Sequence, residues 1–320
     1  VGREYPPAST FKLITAVAGL ESSAVSPEHE ETCTGHRMVG GSQLLDMGVH
    51  GTLDFVEALQ HSCNVYFWAV GERVGIARLA AVARDFGFGE RTGVGFGGDP
   101  AGQVPDASRY GDSEPHRVLR LQAAIGLGDV RATVLQVAMA YAALANGGRL
   151  YRPQIVRRIE TRRGEPIEEP EPILRRHVAA SPATLEVIRR GLYRAVNRRG
   201  GTAFAAKKGV VKMVGKTGTA PLPANPEESH AWFAGWAPAD HPRMAIAVLV
   251  ENGGIGGAVA APVARDIIDA YYLHAAREKR AARRAQAAAK AKAKKAKDRK
   301  RRKKTRAARR GSEASGRRRR

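Results

Sequence analysis

The chain has 320 residues, and its 53 lysines and arginines against 31 aspartates and glutamates give a formal net charge of +22. Residues 277–320 hold 23 of these cations and 3 of the acids, so residues 1–276 are close to neutral, at about +2. This division argues against a basic globular domain that binds nucleic acid, and the 43% hydrophobic content excludes wholesale disorder of residues 1–276. We expect one domain over residues 1–276 and a basic tail over residues 277–320.

The N-terminal half of the domain is predicted to be mainly helical. Tyr5-Pro6-Pro7 favours an extended approach, because a residue before proline avoids the helical region. Apolar residues at helical spacing then predict a largely buried helix that begins at Ser9. Residues 22–51 are predicted to be irregular and residues 88–120 rich in loops. Further helices are predicted near residues 52–60, 64–73 and 76–86.

The C-terminal half combines helices with strands. Thr133 and Gln136 have the spacing of a capping box, and Ser181-Pro182 marks a second helix start. Residues 149–175 are predicted to contain short extended segments and a Pro/Glu-rich loop. The predicted helices cover residues 133–146, 181–196 and 259–274, and the predicted strands cover residues 210–219, 231–236 and 244–251. The pattern indicates an α+β domain, in which an antiparallel sheet flanks a helical part.

The two ends of the chain and its cysteines set further limits. No apolar run approaches the roughly 18 residues that a membrane-spanning helix needs. The chain starts at Val1-Gly2-Arg3 without an initiator methionine or a signal peptide, which indicates a fragment whose upstream part is missing. Cys33 and Cys63 are too few for a disulfide-rich scaffold.

Three short polar motifs carry the candidate chemistry, and each has an ordinary explanation on its own. Ser9 and Lys12 share a helix face, where a partly desolvated lysine can lose its proton and serve as the base for a serine nucleophile. This spacing alone arises about once by chance in a chain of this length. Ser62 and Asn64 lie between two predicted helices, where such side chains often act only as caps. Residues 216–219 read Lys-Thr-Gly-Thr near the end of a predicted strand, where a solvated edge is the ordinary explanation.

In this order, the motifs resemble the S-x-x-K, S-x-N and K-T-G signature of the penicillin-binding proteins and class A β-lactamases. The β-lactamases carry a deacylating glutamate four residues before an asparagine, and no such pair occurs between Asn64 and Lys216. The interval of 154 residues from Ser62 to Lys216 also favours the penicillin-binding proteins. Longer stretches within residues 5–275 are similar to class B transpeptidases, especially the elongation-type penicillin-binding protein 2; they read YPPASTFK, SCNVYF, ATVLQ, GKTGTA, HAWFAGWAP and ENGG.

The resemblance implies a serine β-lactamase/D,D-peptidase-like fold, with an antiparallel sheet flanked by helices and an all-helical lobe. It implies that Ser9 attacks the D-Ala-D-Ala terminus of a peptidoglycan stem peptide, with Lys12 as the general base. Ser62 would pass a proton to the leaving amine with the help of Lys216. Asn64 would hold the substrate amide and Lys12 in place.

The segment around the third motif is implied to bind the substrate. The backbone N–H groups of Ser9 and Thr219 would form an oxyanion hole, which stabilises charge that develops in the transition state. Lys216, Thr217 and Thr219, with Gly218 between them, would receive the carboxylate of the substrate or of a β-lactam.

The activity implied is that of a D,D-transpeptidase of cell wall synthesis and cell shape, inhibited covalently by β-lactams and needing no cofactor for catalysis. The motifs do not separate it from a D,D-carboxypeptidase, in which water resolves the acyl-enzyme, or from a non-catalytic β-lactam receptor. The implied location is the bacterial inner membrane, with the catalytic domain in the periplasm and a glycosyltransferase and the elongation complex as partners. The family has strands, a pedestal and a membrane anchor upstream of the serine helix; without them the fragment is at risk of folding poorly or being inactive.

A possible metal site lies among Cys33, Asp46, His50 and Cys63, which are separated by 13, 4 and 13 residues. Two thiolates, an imidazole and a carboxylate suit a tetrahedral zinc ion. Some penicillin-binding protein 2 sequences resemble zinc binders at similar points. A disulfide between Cys33 and Cys63 and two unrelated buried thiols are the alternatives.

The tail has its own alternatives. Residues 281–297 are rich in alanine, lysine and arginine and could extend the terminal helix, and residues 299–304 are six consecutive cations. Such segments bind anionic lipid, anionic polymers or nucleic acid. A solvated disordered extension is the favoured interpretation, because like charges at this density repel. In a wall-facing protein, lipid headgroups or wall polymers suit the tail better than DNA, and no sequence-specific binding of nucleic acid is expected.

Overall fold

The computed structural model of the chain describes residues 2–95, 97–111, 113–222 and 224–316, with backbone alone for residues 289, 292–294 and 296–316. The helices are α1 (Lys12–Glu21), α2 (Phe55–His61), α3 (Asn64–Val74), α4 (Ile76–Asp85), α5 (Glu114–Ala124), α6 (Val134–Ala145), α7 (Pro182–Asn197) and α8 (Ala260–Gly316). The strands are β1 (Glu31–Cys33), β2 (His36–Val39), β3 (Ser42–Leu45), β4 (Gly51–Leu53), β5 (Arg149–Tyr151), β6 (Ile159–Glu160), β7 (Pro166–Glu168), β8 (Leu174–His177), β9 (Val214–Pro221), β10 (Ser229–Ala237) and β11 (Met244–Val250).

The main sheet is antiparallel and has the order β11-β10-β9. Its central strand β10 aligns Ala234 with Lys216 and Trp232 with Gly218 of β9. Helix α6 packs against β10 and β11, and α7 packs against β9 and α2. The remaining strands form four two-stranded ladders, β1 with β4, β2 with β3, β5 with β8 and β6 with β7.

Helix α1 lies at the centre of the helical part. Every residue from Lys12 to Gly19 is buried, and the helix contacts α3, α4 and α7. Its side chains Ile14 and Val17 are fully buried, each contributing about 1.5–3 kcal/mol by removal of apolar surface from water. An apolar helix that is covered on all sides gives a rigid base for the residues at its N-terminus.

Most of the predicted elements are confirmed. The capping box of Thr133 and Gln136 begins α6, and the Ser181 side chain caps α7. The predicted helices near residues 52–60, 64–73 and 76–86 are α2, α3 and α4, and short strands do lie within residues 149–175. The first strand of the sheet begins at Val214, four residues later than predicted.

Two segments differ from the prediction. Residues 88–120, predicted to be loops, contain the start of α5, which has a proline at its first turn after Ser113. The residues before α5 are rich in glycine, which favours a loop and makes the helix start at Ser113 difficult to predict from the sequence. Residues 22–51 are predicted to be irregular, but they contain β1, β2 and β3 and the first residue of β4. The sequence does not predict these strands because they are short and closely spaced, so that little alternation of apolar and polar residues can be detected.

The chain divides into two compact units, Val1–Asp269 and Ala270–Arg320. The composition favours a disordered tail, whereas the backbone of the second unit is helical as far as Gly316; alanine, lysine and arginine are strong helix formers. The side chains of residues 299–304 and the whole of residues 317–320 lie outside the described part. The division predicted at residue 276 stays a prediction.

Among the described residues, no helix has the length and apolar character needed to cross a membrane.

Candidate active site

Ser9 lies in a short 3-10 helix, Ala8–Phe11, that leads directly into α1. The flanking backbone is fixed on both sides: the Ala8 N–H donates to the Gly126 carbonyl at 2.9 Å, and the Tyr141 hydroxyl donates to the Thr10 carbonyl at 2.9 Å. Ser9 itself is half-buried between the buried residues Ala8 and Thr10. The serine is thus held by its neighbours while its own side chain faces a cavity.

Gly126 supports this segment at a point where a side chain does not fit. It has a φ of +76°, and an added Cβ atom would lie 2.3 Å from the Ala8 carbonyl oxygen. We expect Gly126→Ala to displace the Ala8–Phe11 helix, lowering both the acylation rate of Ser9 and the free energy of unfolding, the latter by about 2–4 kcal/mol. Denaturant unfolding and the rate of labelling by a fluorescent penicillin measure the two effects.

Gly147→Ala is the matched control for this prediction. Gly147 has a similar φ of +82°, but no heavy atom of the described residues lies within 4 Å of its added Cβ atom. We expect Gly147→Ala to lower the free energy of unfolding by only about 1–2 kcal/mol, because alanine disfavours a positive φ. Its labelling rate should equal that of the wild type. Equal effects of the two substitutions would contradict the argument from the Ala8 carbonyl.

Lys12 is the first residue of α1 and is completely buried. Its Nζ atom donates to the Ser62 carbonyl at 2.6 Å, to Ser62 Oγ at 3.3 Å and to Asn64 Oδ1 at 2.7 Å. The ring of Phe67 lies 5.4 Å from the same atom. The structure therefore joins the first two motifs through one lysine side chain.

Burial changes the acid–base properties of both lysines. Desolvation lowers the pKa of Lys12 to about 8, against the opposing attraction of Asp46. Burial, and then the nearby charge of Lys12, hold the pKa of Lys216 well below its usual range. Lys216 Nζ donates to the Thr217 carbonyl at 3.2 Å. A neutral amine, which can accept a proton from a hydroxyl, is thus accessible near pH 8 at Lys12.

Acylation of Ser9 is expected to accelerate with rising pH. If neutral Lys12 is the base, its fraction rises about tenfold between pH 7 and pH 9 for a pKa of about 8, and the rate should follow it. The pH profile of acylation by a β-lactam, with circular dichroism as a check on folding, measures this. A rate that stays flat or falls across this interval would rule out neutral Lys12 as the base.

The corner between α2 and α3 presents Ser62 and Asn64. Ser62 ends α2 in the left-handed conformation, with φ 59° and ψ 34°, and Asn64 begins α3. Asp46 fixes the corner from behind, since its Oδ2 atom accepts hydrogen bonds from the Asn64 N–H at 2.8 Å and the Val65 N–H at 3.2 Å. Burial alone would raise the pKa of Asp46, but Lys12 and the hydrogen bonds from Cys63 and Val65 outweigh it and the pKa falls below its usual value.

Strand β9 carries the third motif. Lys216 is fully buried and Thr217 nearly so, while Thr219 is half-buried. Gly218 lets the strand approach the serine helix closely, because an added Cβ atom would lie 3.0 Å from Trp232 Cβ and 3.2 Å from the Pro7 carbonyl oxygen.

The two threonines of the motif are held by residues that the sequence did not indicate. Thr217 Oγ1 donates to Thr202 Oγ1 at 2.8 Å, and the Gly256 N–H donates to Thr219 Oγ1 at 3.3 Å. Thr202 precedes β9 by 12 residues and Gly256 follows β11. Their roles depend on tertiary contacts, so no local signal could have found them.

A cavity of about 610 Å³ joins these segments. Six of the eight predicted catalytic and substrate-binding residues line it: Ser9, Ser62, Asn64, Thr217, Gly218 and Thr219. The two lysines are buried behind this wall. Lining residues that carry no local sequence signal include Leu45, Met47, His61, Trp68, Gln122, Ile125, Leu127, Thr202 and Ile255. The arrangement offers a nucleophile, a buried amine and hydroxyl groups around a space that accepts a small ligand.

The predicted metal ligands also come together. One ligand atom each from Cys33, Asp46, His50 and Cys63 lies within 4.8 Å of the others. Asp46 Oδ2 is 3.4 Å from Cys33 Sγ, 3.2 Å from Cys63 Sγ and 3.6 Å from His50 Nδ1. Ligand atoms around a tetrahedral zinc ion are separated by about 3.3–3.8 Å, which is close to the distances from Asp46 Oδ2 to the other three ligand atoms.

The protonation states of the cluster follow from burial. Desolvation, reinforced by Asp46, raises the pKa of the Cys63 thiol, and desolvation lowers the pKa of His50. The imidazole is thus suited to act as a neutral ligand, whereas the thiol needs a cation to become a thiolate. Both cysteines are free in the structure, so the disulfide alternative is not observed.

Comparisons with known proteins agree with this geometry. Residues 1–269 match the family described as penicillin binding protein transpeptidase domain. The peptidoglycan D,D-transpeptidase MrdA of Haemophilus influenzae is 33% identical over 84% of this chain and 44% of its own length. Two solved structures that are similar in fold come from Mycobacterium tuberculosis and Helicobacter pylori.

The first is penicillin-binding protein A of M. tuberculosis as a ceftriaxone acyl-enzyme complex, with a TM-score of 0.71 and 30% identity over 83% of this chain and 60% of that one. The second is the complex of penicillin-binding protein 2 with MreC from H. pylori, with a TM-score of 0.70 and 27% identity over 84% of this chain and 50% of that one. The chain spans about half the length of the curated relatives it matches.

Proposed function

Because the chain belongs to the penicillin-binding protein transpeptidase family, we propose that it is a D,D-transpeptidase, which cross-links peptidoglycan stem peptides through an acyl-enzyme on Ser9. One observation carries the proposal: the buried Lys12 amine, with a pKa of about 8, contacts both Ser62 and Asn64 directly behind the cavity that Ser9 lines. A buried amine of lowered pKa can take the proton of a serine nucleophile near neutral pH, which supports the proposal.

The positions of these groups support the following acylation step. Ser9 Oγ attacks the carbonyl carbon of the D-Ala-D-Ala bond, and its proton passes to Lys12 Nζ. The backbone N–H groups of Ser9 and Thr219 receive the developing oxyanion. The C–N bond then breaks, and the leaving amine of D-Ala takes a proton through the Ser62 hydroxyl.

The remaining residues of the site position the donor and complete the transfer. Thr217, Thr219 and Lys216 bind the terminal carboxylate, and Asn64 holds the donor amide and Lys12. An amine of a second stem peptide attacks the Ser9 ester, forms the new amide bond and restores the serine hydroxyl. No cofactor takes part in these steps.

Mass spectrometry of the reaction with two peptides tests the proposal. A donor pentapeptide ending in D-Ala-D-Ala and an acceptor amine should give a cross-linked product and free D-Ala. Release of D-Ala with only the hydrolysed tetrapeptide as product would indicate a carboxypeptidase instead. Stable labelling by penicillin with no turnover of peptide would indicate a β-lactam receptor.

We propose further that Cys33, Asp46, His50 and Cys63 hold a structural zinc ion. The ion would supply charge that keeps both thiols ionised and would cross-link the segment of β1–β4 to the start of α3. The four side chains are close together without the ion, since Asp46 Oδ2 lies within 3.6 Å of both sulfur atoms and of His50 Nδ1.

Removal of zinc is expected to destabilise the domain. The mildly purified chain should contain one zinc ion per molecule, and a strong chelator should lower the melting temperature by roughly 5 °C or more, because the ion binds only the folded state. Cys33→Ser should lack the ion and be insensitive to the chelator. Absence of stoichiometric zinc from the mildly purified chain would remove the hypothesis.

The proposed setting is the periplasmic side of a bacterial inner membrane, within an elongation complex that includes a glycosyltransferase. The family assignment and the MreC complex of the H. pylori relative support this setting.

We propose that the basic tail binds anionic lipid or wall polymers, since residues 277–320 carry a net charge of +20. Binding of the tail peptide to anionic liposomes should weaken as salt increases; salt-independent or absent binding to the liposomes and to an anionic polymer would reject this role.

A further inference from the structure

A strongly basic stretch precedes and includes β9. Residues 187–226 contain nine lysines and arginines and no aspartate or glutamate, although residues 1–276 as a whole are nearly neutral. Three of the nine cations have other roles: Arg189 pairs with Glu186, Arg194 pairs with Glu57, and Lys216 is buried at the site. The charge of the others is available for a ligand.

Four of these cations lie in the segment between α7 and β9, which we call the basic loop: Arg198, Arg199, Lys207 and Lys208. All four are exposed, and within the described residues none of their side chains makes an ion pair. Lys207 lies over the ring of Phe204, with 4.8 Å between Nζ and the ring centroid. A concentration of unpaired positive charge in a nearly neutral domain favours an anionic ligand.

The backbone of the basic loop is attached to the wall of the active-site cavity. Gln60 Nε2 donates to the Arg199 carbonyl at 3.3 Å, and the Thr202 N–H donates to the Gln60 carbonyl at 3.3 Å. An added Cβ atom at Gly200 would lie 3.3 Å from His61 Cε1. His61 and Thr202 both line the cavity, so the arginines immediately precede its wall.

The same turn is tightly packed. An added Cβ atom at Gly201 would lie 2.3 Å from the Ala195 carbonyl oxygen, and Thr202 Oγ1 accepts the hydrogen bond from Thr217 described above. Arg198 and Arg199 therefore adjoin a turn whose position relative to the third motif is fixed.

We propose that the basic loop binds a second carboxylate of an acidic stem peptide, one that lies upstream of the D-Ala-D-Ala end held at Ser9. This inference rests on the proposed function and names a feature of its donor substrate. In the proposed function, the terminal carboxylate binds at Thr217 and Thr219. The separate cations of the basic loop therefore suit another carboxylate of the same peptide. Arginine suits this role because its guanidinium group binds a carboxylate through two parallel hydrogen bonds.

Two peptides that differ in one charge test the inference. The probes are L-Ala-γ-D-Glu-L-Lys-D-Ala-D-Ala and its counterpart in which the free carboxylate of the D-Glu residue is amidated. At limiting peptide concentration, R198Q/R199Q should release D-Ala about tenfold more slowly than wild type from the acidic peptide, and about as fast as wild type from the amidated one. The preference of the wild type for the acidic peptide should also decline as salt increases.

R162Q/R163Q is the matched control, because it removes two exposed arginines from the turn between β6 and β7 and should leave both rates unchanged. The inference would be overturned if the wild type acted on the two peptides at equal rates, or if R198Q/R199Q slowed the release of D-Ala from both equally. In either case, labelling of Ser9 by a fluorescent penicillin would leave the proposed function standing. A wild-type chain that neither labels nor releases D-Ala would overturn the proposed function and this inference with it.

Discussion

Replacing Ser9 with alanine is expected to abolish covalent labelling of the chain by a fluorescent penicillin. The substitution removes the oxygen that would form the ester, and among the described residues that line the cavity no other hydroxyl lies just before the N-terminus of α1. Intact-mass spectrometry should show the added mass of the β-lactam on the wild type and none on Ser9→Ala. The melting temperature should change little, since the loss of one half-buried hydroxyl is a small change.

Ser42→Ala is the matched control for the loss of a hydroxyl. Ser42 is exposed on β3, and its substitution should leave labelling at the wild-type rate. Full labelling of Ser9→Ala would refute the assignment of the nucleophile, and with it the chemistry proposed for the whole site.

The second large effect is expected for Lys12→Met. The amine that would accept the Ser9 proton is lost, and general-base catalysis is worth roughly 10²–10⁴-fold, so we expect acylation to slow by about three orders of magnitude. Methionine is close to lysine in length and removes a buried amine whose charged form is penalised by desolvation. Against this gain, the Ser62 carbonyl and Asn64 Oδ1 lose a donor, at about 1–3 kcal/mol each.

The two contributions to stability oppose each other, so Lys12→Met should remain folded while it loses activity. Stability should also depend on pH in a defined direction. Because the folded pKa of Lys12 is lowered to about 8 from 10.5, the unfolded chain binds more protons between these values, and this lysine makes wild-type stability rise with pH across that window. The variant should lack this part of the pH dependence.

Denaturant unfolding at pH 8 and at pH 10 measures this difference, with Lys279→Met, on an exposed position of α8, as the control. A variant that acylates at the wild-type rate would exclude Lys12 as the base. A variant that is unfolded would show that the buried hydrogen bonds of Lys12 are primarily structural.

The motifs were predictable because each is local. Ser9 with Lys12 and Ser62 with Asn64 depend only on spacing along a helix or across a helix junction, and residues 216–219 depend only on their place in a strand. The family resemblance supplied their grouping, and the similarity to solved transpeptidase structures confirms the predicted serine β-lactamase/D,D-peptidase-like fold. The individual catalytic roles of these residues stay predictions.

What was not predictable depends on contacts between distant segments. Thr202 is an ordinary threonine until the fold brings its hydroxyl to Thr217. Asp46 is predicted as a metal ligand, but no local pattern indicates that its carboxylate also caps the corner at Asn64. Helix α5 was missed because its short apolar pattern follows a glycine-rich stretch, in which periodicity is weak.

Under the proposed function, the close packing of β9 restricts which substitutions could confer resistance to β-lactams. Gly218 cannot gain a side chain without meeting Trp232 and Pro7, and an added Cβ atom at Gly256 would lie 2.2 Å from the Gly218 carbonyl oxygen. Leu45 and Met47 at the mouth of the cavity are instead 69% and 71% exposed, so their replacement costs little stability. We expect selection for growth on a β-lactam to enrich substitutions at this mouth and to leave both glycines unchanged.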